Sequence, residues 1–116
     1  MDQRPTRADV VDSVLAALAD PTRRQLLGLL ATQGQATATK LADGLPVSRQ
    51  AVVKHLAVLD AAGLVDSMKV GREVRYEVCP AALDTTARWM AALAADWDRR
   101  LAKIKRAAEA AEQDTQ

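Results

Sequence analysis

The sequence is poor in aromatic residues and cysteine. Among its 116 residues there is no phenylalanine, aromatic residues make up 3%, and Cys79 is the single cysteine. One thiol cannot form an internal disulfide, so the cysteine content gives no indication of an oxidising compartment. Because 49% of the residues are hydrophobic but few are aromatic, leucine, valine and alanine must fill the core, which favours helices.

Long apolar segments are also absent. No apolar run approaches the roughly 18 residues that cross a bilayer, and residues 1–5 lack the apolar segment of a signal peptide. These absences predict a cytoplasmic protein with no membrane partner. The length fits one domain over residues 1–116, since domains usually contain about 100–150 residues.

The charge of the chain is nearly balanced. Its formal net charge is +1, and basic and acidic residues are about equal in number in each third of the chain. DNA binding therefore requires a local arrangement of positive groups rather than a basic protein. No Ser/His/Asp set, no carboxylate pair with a histidine and no glycine-rich phosphate loop is present, so we expect no enzyme.

Helical spacing dominates the first half of the chain. Apolar residues recur three and four positions apart, and Asp20, Pro21 and Ser48 are residue types favoured where helices begin. Gly44 and Pro46 favour a turn before the last of these helices. The predicted helices cover about residues 8–19, 21–31, 39–43 and 49–61, with a short extended link at residues 36–37.

Two segments of strand-like sequence follow, at residues 64–70 and 73–78. In the second segment Val74, Tyr76 and Val78 alternate with charged residues. A two-residue connection that starts with glycine, here Gly71, is typical of a β-hairpin. The pattern predicts a small hairpin that carries an arginine at its tip.

A heptad repeat occupies the last part of the chain. From Leu83 to Ala108 apolar residues are spaced alternately four and three apart, which predicts a helix over about residues 81–111, and residues 112–116 form a polar, frayed tail. The core of a chain of this length cannot easily cover so many apolar side chains. We therefore expect dimerisation; packing within one chain and binding of an apolar ligand are the alternatives. The residues expected in the interface are Trp89, Met90, Leu93, Trp97, Leu101 and Ile104.

The short third helix, the turn and the fourth helix form a candidate helix-turn-helix. The second helix of this motif enters the major groove, where arginine pairs with guanine and glutamine with adenine. Lys54 suits a phosphate contact, and Arg72 at the hairpin tip suits a minor groove. A solvated amphipathic helix and an ordinary charged hairpin tip are the alternatives. The predicted DNA-binding residues are Ser48, Arg49, Gln50, Val53, Lys54, His55, Lys69, Arg72 and Arg75.

Four segments resemble ArsR-type winged-helix repressors. Residues 18–27 (LADPTRRQLL) are similar to the family signature LADPTRRxIL, and residues 48–56 (SRQAVVKHL) to its recognition helix SxxAVSxHL. Residues 59–65 (LDAAGLV) and 71–76 (GREVRY) resemble LxxAGLV and the wing GRxxxY. The resemblance covers about residues 10–80 in the family's order.

The resemblance implies a mainly α winged helix-turn-helix with a β-hairpin wing, in which residues 8–80 form the DNA-binding core and about 81–111 the dimerisation helix. It also implies a homodimer in which the first helix takes part, which adds Val11 and Leu15 to the expected interface.

Two departures from the family pattern affect function. Val53 stands where the family usually has a small hydroxyl residue, so this position is limited to apolar contact such as that with a thymine methyl group. Metal-sensing members place a cysteine pair on the third helix or Asp, His and Glu ligands on the last. Here the third helix has no cysteine, and the last helix has Asp84 but no histidine. We expect no metal site and no cofactor.

Two alternatives remain open from the sequence. A winged helix also serves as a protein–protein contact module, and the near-neutral charge is compatible with that role. Cys79 is either a small apolar residue that closes the hairpin or a redox switch that pairs across a dimer, which requires an exposed thiol of low pKa.

Overall fold

The structure is a computed structural model that describes residues 4–114. These residues form two compact units, residues 4–86 and 87–114. None of the helices formed by the described residues combines the length and hydropathy of a membrane span. The elements in chain order are α1 (Arg7–Leu18), α2 (Pro21–Gln33), β1 (Gln35–Thr37), α3 (Ala38–Asp43), α4 (Arg49–Ala61), β2 (Val65–Val70), β3 (Glu73–Val78) and α5 (Pro80–Asp114).

The winged helix-turn-helix prediction is confirmed, with one strand more than expected. The link at residues 36–37 belongs to β1, which pairs antiparallel with β3 and places Ala36 opposite Tyr76. The sheet order is β1-β3-β2. A strand of three residues is too short to show an alternating pattern, and its partner lies far along the chain, so local sequence did not reveal it.

Helix α5 is longer than its apolar pattern. It continues to Asp114, so residues 112–114, expected in a frayed tail, are helical. Residues 115–116 of that predicted tail lie outside the described part of the chain. No glycine or proline follows Pro80, and alanine and glutamate are strong helix formers. The helix therefore continues beyond Ala108, where the apolar heptad pattern ends.

Side-chain caps fix where the helices begin. The Oδ1 atom of Asp20 accepts hydrogen bonds from the backbone N–H groups of Thr22 (2.7 Å) and Arg23 (3.2 Å) at the start of α2. The Oγ atom of Ser48 accepts one from the N–H of Ala51 (3.1 Å) at the start of α4. These bonds satisfy amides that have no partner within the helix, so the starts of α2 and α4 lie where the sequence predicted them.

The core of the first unit is built from aliphatic side chains. Every buried residue of the described chain lies at or before Thr86. Helix α4 is packed into this core through one face only, and its other face is left for contact with a partner. The largest fully buried side chains are Leu26, Leu30, Leu41, Leu56, Leu59, Leu64, Val14, Val52 and Val65.

Two arginines of α2 bond to the last carbonyls of α1. The guanidinium of Arg23 donates to the carbonyls of Ala17 (2.5 Å) and Ala16 (3.3 Å), and that of Arg24 donates to the carbonyl of Leu18 (2.6 Å). Carbonyls in the last turn of a helix lack partners within it and carry partial negative charge. The arginines of the ADPTRR segment therefore join α1 to α2 and are not free for DNA.

Arg23→Ala is expected to lower the free energy of unfolding by about 1–3 kcal/mol, since it removes charge-assisted hydrogen bonds from half-buried carbonyls. Urea denaturation measures the change as a lower midpoint at unchanged slope. Gln25→Ala, an exposed change on the same helix, is the control and should stay within about 0.5 kcal/mol of the parent. Equal stability of the two variants would show that the link between α1 and α2 does not stabilise the fold.

Candidate nucleic-acid interface

Helix α4 has one face that packs in the core and one face that is exposed. Val52, Leu56 and Leu59 are buried, whereas Arg49 and Lys54 are exposed. Ser48 and Gln50 are exposed as well, and Val53 has 37% of its surface accessible. The exposed face presents hydrogen-bonding groups at the N-terminal end of the helix, where recognition helices contact base edges.

The Arg49 side chain is held by a residue of α3. Its Nε atom donates a hydrogen bond to the Oγ1 atom of Thr39 at 3.1 Å. This contact orients the guanidinium and leaves its two terminal nitrogens for a paired acceptor such as a guanine edge. Thr39 was missed by the sequence analysis. The signal for it was a hydroxyl residue in the first turn of the helix before the recognition helix.

A cleft lies between α4 and the wing, and Arg49, Val53 and Arg72 all line it. Its volume is about 600 Å³. Two guanidinium groups and several hydroxyls face it, a combination that suits a sugar-phosphate backbone. Tyr76 and the threonines were not predicted to lie here. The other lining residues are Thr37, Ala38, Thr39, Glu73, Val74 and Tyr76.

The three basic residues of the wing differ in their surroundings. Arg75 forms an ion pair with Glu73, with 3.1 Å between Nε and Oε2, so its charge is partly offset. Arg72 is exposed next to Gly71, whose φ of +63° permits the tight turn, and it has no ion pair within the described chain. Lys69 is exposed on β2 opposite Val74 and does not line the cleft. Arg72 is thus the wing cation best placed with the recognition helix.

His55 lies on a different side of α4 from the exposed cluster. It is half-buried. Desolvation raises the pKa of Asp20, the residue that caps α2, but hydrogen bonds from the amides of Arg23 and Thr22 and electrostatic interactions with Arg23 and His55 outweigh it, so the net shift is downward. His55 therefore remains a predicted DNA contact with less accessible surface than Arg49 or Lys54.

The Cys79 thiol is in an acidic environment. Its Sγ atom donates a hydrogen bond to Oδ2 of Asp66 at 2.9 Å. This bond, partial burial and the negative charges of Asp66, Glu77 and Asp60 raise the pKa of Cys79 to about 11. Because the thiolate is the reactive form, this environment opposes the redox-switch alternative for Cys79.

Alkylation of Cys79 by iodoacetamide is expected to be slow at pH 8 and to accelerate about tenfold per pH unit until the pH approaches the pKa near 11. Asp66→Asn removes the carboxylate charge, so it should lower the pKa and speed the reaction at pH 8. Mass spectrometry of the modified chain gives the rates. The urea-unfolded protein is the control, and a folded thiol that reacts as fast as the unfolded one would contradict the assignment.

The structure shows where the residues able to bind a metal ion lie. Among residues 4–114 there is no group of three or more His, Cys, Asp or Glu side chains that is able to hold a metal ion. Asp84 lies on α5, His55 lies on α4, and Cys79 lies in the link between β3 and α5.

Helix α5 exposes a continuous set of large apolar side chains in the second unit. Trp89, Met90, Leu93 and Trp97, with Ala94, line an apolar groove of about 430 Å³. The accessible fractions of the two most exposed side chains, Trp97 and Ile104, are 58% and 65%. Leu101 is exposed as well. Side chains of this kind are normally covered in the working protein.

The two interface residues expected on α1 have different environments. Leu15 is 41% exposed and is available to a partner. Val11 is 2% exposed, so it is already covered within its own chain and offers a partner little accessible surface. The spacing of apolar residues placed both on one helix face, but it did not reveal which edge of that face is covered.

Comparison with known proteins identifies relatives over most of the chain. Residues 18–67 match a family described as a helix-turn-helix domain. The transcriptional repressor SdpR of Bacillus subtilis is 30% identical over 80 residues, which cover 69% of this chain and 88% of that protein. An HTH-type transcriptional regulator of Mycobacterium tuberculosis is 42% identical over 88 residues, covering 76% of this chain and 75% of the relative.

Solved structures show the same fold. An ArsR-like transcriptional regulator from a Rhodococcus species superposes with a TM-score of 0.75 at 52% identity and covers 84% of this chain and 91% of its own. HlyU from Vibrio cholerae superposes with a TM-score of 0.61 at 26% identity, over 76% of this chain and 89% of its own.

Proposed function

The chain belongs to the ArsR-type winged helix-turn-helix regulators of transcription, and from that premise we propose that it represses transcription as a homodimer bound to an inverted-repeat operator. In this proposal residues 8–80 bind DNA and the α5 segment 81–111 joins two copies. The regulators of this family bind DNA.

The exposed face of α4 carries the DNA-binding part of the proposal. Arg49 and Gln50 lie in its first turn, and the Nε atom of the exposed Arg49 donates to Thr39, which leaves both terminal nitrogens of Arg49 for DNA. Arginine and glutamine at this place suit a guanine and an adenine edge in the major groove. Lys54, one turn later, suits a phosphate, and Arg72 on the wing suits the neighbouring minor groove.

The apolar face of α5 supports the dimer. Six large apolar side chains are exposed on this one helix, from Trp89 to Ile104, and a second copy of the same face covers them most simply. A symmetric pair presents two α4 helices to one duplex, about 34 Å apart, and reads two half-sites in opposite directions. This is the reason for expecting an inverted repeat.

Fluorescence anisotropy of labelled DNA from the upstream region of the protein's own gene tests the proposal. Titration with the full chain should give a midpoint in the nanomolar range that persists against excess DNA of random sequence. Repeating the titration at several salt concentrations should show a steep salt dependence, since each neutralised phosphate releases a counterion. Sedimentation of the complex should give two chains for each duplex.

A weak midpoint that is insensitive to both sequence and salt would contradict the proposal and favour the protein–protein contact module. A strong midpoint with one chain per duplex would contradict the dimer alone. Genome-wide selection of bound fragments with the same chain finds the operator when it lies away from the gene itself.

A further inference from the structure

Helix α5 carries a compact set of cations that lies outside the recognition helix and the wing. Within residues 99–106 five side chains, those of Arg99, Arg100, Lys103, Lys105 and Arg106, are basic and none is acidic. All are exposed. The net charge of the last third of the chain does not show this basic segment, because the acidic residues of that third lie before and after residues 99–106.

Three of these cations form one line along the helix. Arg99, Lys103 and Arg106 are spaced by four and three residues, so they lie on the same side of α5. They line a shallow groove together with Arg100, Ala102 and Asp96. Asp96 pairs with Arg99, whereas Lys103 and Arg106 have no ion pair among the described residues. We call Arg99, Lys103 and Arg106 the basic stripe.

The basic stripe and the apolar seam are on opposite faces. Each stripe residue follows a seam residue, Trp97, Leu101 or Ile104, by two positions. Two residues rotate a helix by about 200°, so a second copy packed on the seam leaves the stripe open to solvent. One helix is therefore able to hold a partner chain and a charged ligand at the same time.

We infer that the basic stripe is a second DNA contact, which binds backbone phosphates of the duplex without reading sequence. Arg99 and Arg106 are about 10 Å apart along the helix axis, a length that spans about three phosphates of one strand. The inference rests on the proposed function, because a bound operator supplies the duplex at high effective concentration.

The arrangement favours phosphates over a lipid surface. A helix that lies in a membrane interface inserts its apolar face into the lipid and carries its basic residues on the polar face. In the proposed dimer a second copy covers the apolar seam, so that face is not available to a bilayer and the stripe is left to a charged ligand in solution. Lys105, two positions after Lys103, lies on the other side of the helix and serves as a comparison.

The test uses the full chain, a duplex of random sequence and the upstream duplex, each titrated by anisotropy at salt concentrations between about 50 and 200 mM. The variant Arg99→Gln/Lys103→Gln/Arg106→Gln should reduce the slope of log affinity against log salt by about 2–3 for each chain. Affinity should fall by a similar factor on both duplexes, so the preference for the upstream duplex is kept.

Matched single changes supply the control. Lys103→Gln should reduce the slope by about 0.9 and Lys105→Gln by close to zero, although both remove one exposed charge. The variant Arg99→Lys/Lys103→Arg/Arg106→Lys keeps the charges and should restore the slope. Circular dichroism and sedimentation show whether the helix and the assembly are unchanged.

The outcomes separate this inference from the proposed function. Equal binding of the parent chain to both duplexes, together with a lower slope of log affinity against log salt in the triple variant, would overturn the operator proposal and support the basic stripe. An unchanged slope in the triple variant, or equal effects of Lys103→Gln and Lys105→Gln, would overturn the stripe. Binding of the chain to phosphatidylserine vesicles that the triple variant loses, with DNA binding unaltered, would assign the stripe to lipid and overturn it as well.

Discussion

Trp97→Asp combined with Leu101→Asp is expected to convert the proposed dimer into monomers. Burial of an aliphatic or aromatic side chain contributes about 1.5–3 kcal/mol, so four such side chains in a symmetric pair contribute about 6–12 kcal/mol. Since each 1.4 kcal/mol is a factor of ten, the dissociation constant of the dimer should rise by about 10⁴-fold or more. Sedimentation equilibrium of the two proteins measures this change.

Loss of the dimer should also weaken operator binding. A monomer engages one half-site and loses the effective concentration that the second recognition helix supplies, which corresponds to about 10²–10⁴ in affinity. Ala91→Asp combined with Ala95→Asp is the control, because it introduces the same charges on the outer side of the same helix, where both alanines are exposed.

The double variant leaves the core of the first unit intact. Every buried described residue lies at or before Thr86, so neither substitution removes a core side chain. Circular dichroism of the variant should retain the helical signal at concentrations where the parent is dimeric. A tight dimer in the Trp97 and Leu101 variant would show that two copies join through another surface.

Arg49→Ala and Gln50→Ala are expected to relax the sequence preference of DNA binding. A paired hydrogen bond from either side chain to a base edge distinguishes the correct base by about 1–3 kcal/mol, so each change should cost about 5- to 150-fold in affinity for the operator. Binding to random duplex DNA should weaken much less. Competition titrations with the operator and with single-base variants measure the loss of preference.

Lys54→Ala is the comparison on the same helix. A phosphate contact carries no sequence information, so this change should weaken binding to all duplexes alike and reduce the salt slope by about one. Thr39→Val tests the positioning of Arg49 and should relax preference in the same direction with a smaller effect, because the arginine remains but loses its hydrogen bond. Full operator preference in both Arg49→Ala and Gln50→Ala would refute the groove assignment.

Much of the fold was predictable because its signals are local. The bounds of α4 were predicted from the Ser48 cap and the spacing of Val52, Leu56 and Leu59, and the structure agrees. Asp20 and Pro21 likewise set the start of α2 through bonds to the next residues in the chain. A cap needs only its near neighbours, so the sequence contains the whole interaction.

Features that depend on distant residues were not predictable in the same way. β1 forms because Gln35 to Thr37 meet β3 far along the chain, and no pattern within three residues announces that pairing. The same limit applies to the site. The contact between Thr39 and Arg49 and the cleft that joins Arg49 to Arg72 require α3, α4 and the wing to be placed side by side.

The sequence by itself determined the family, the order of the helices and the hairpin, and the apolar seam of α5, since periodicity, caps and motifs are properties of neighbouring residues. Only the tertiary structure decided that Val11 is covered within its own chain while Leu15 is exposed, and that Asp66 raises the pKa of Cys79. Burial and electrostatic environment depend on which elements meet in space, and that is set by packing of the whole first unit rather than by any local run of residues.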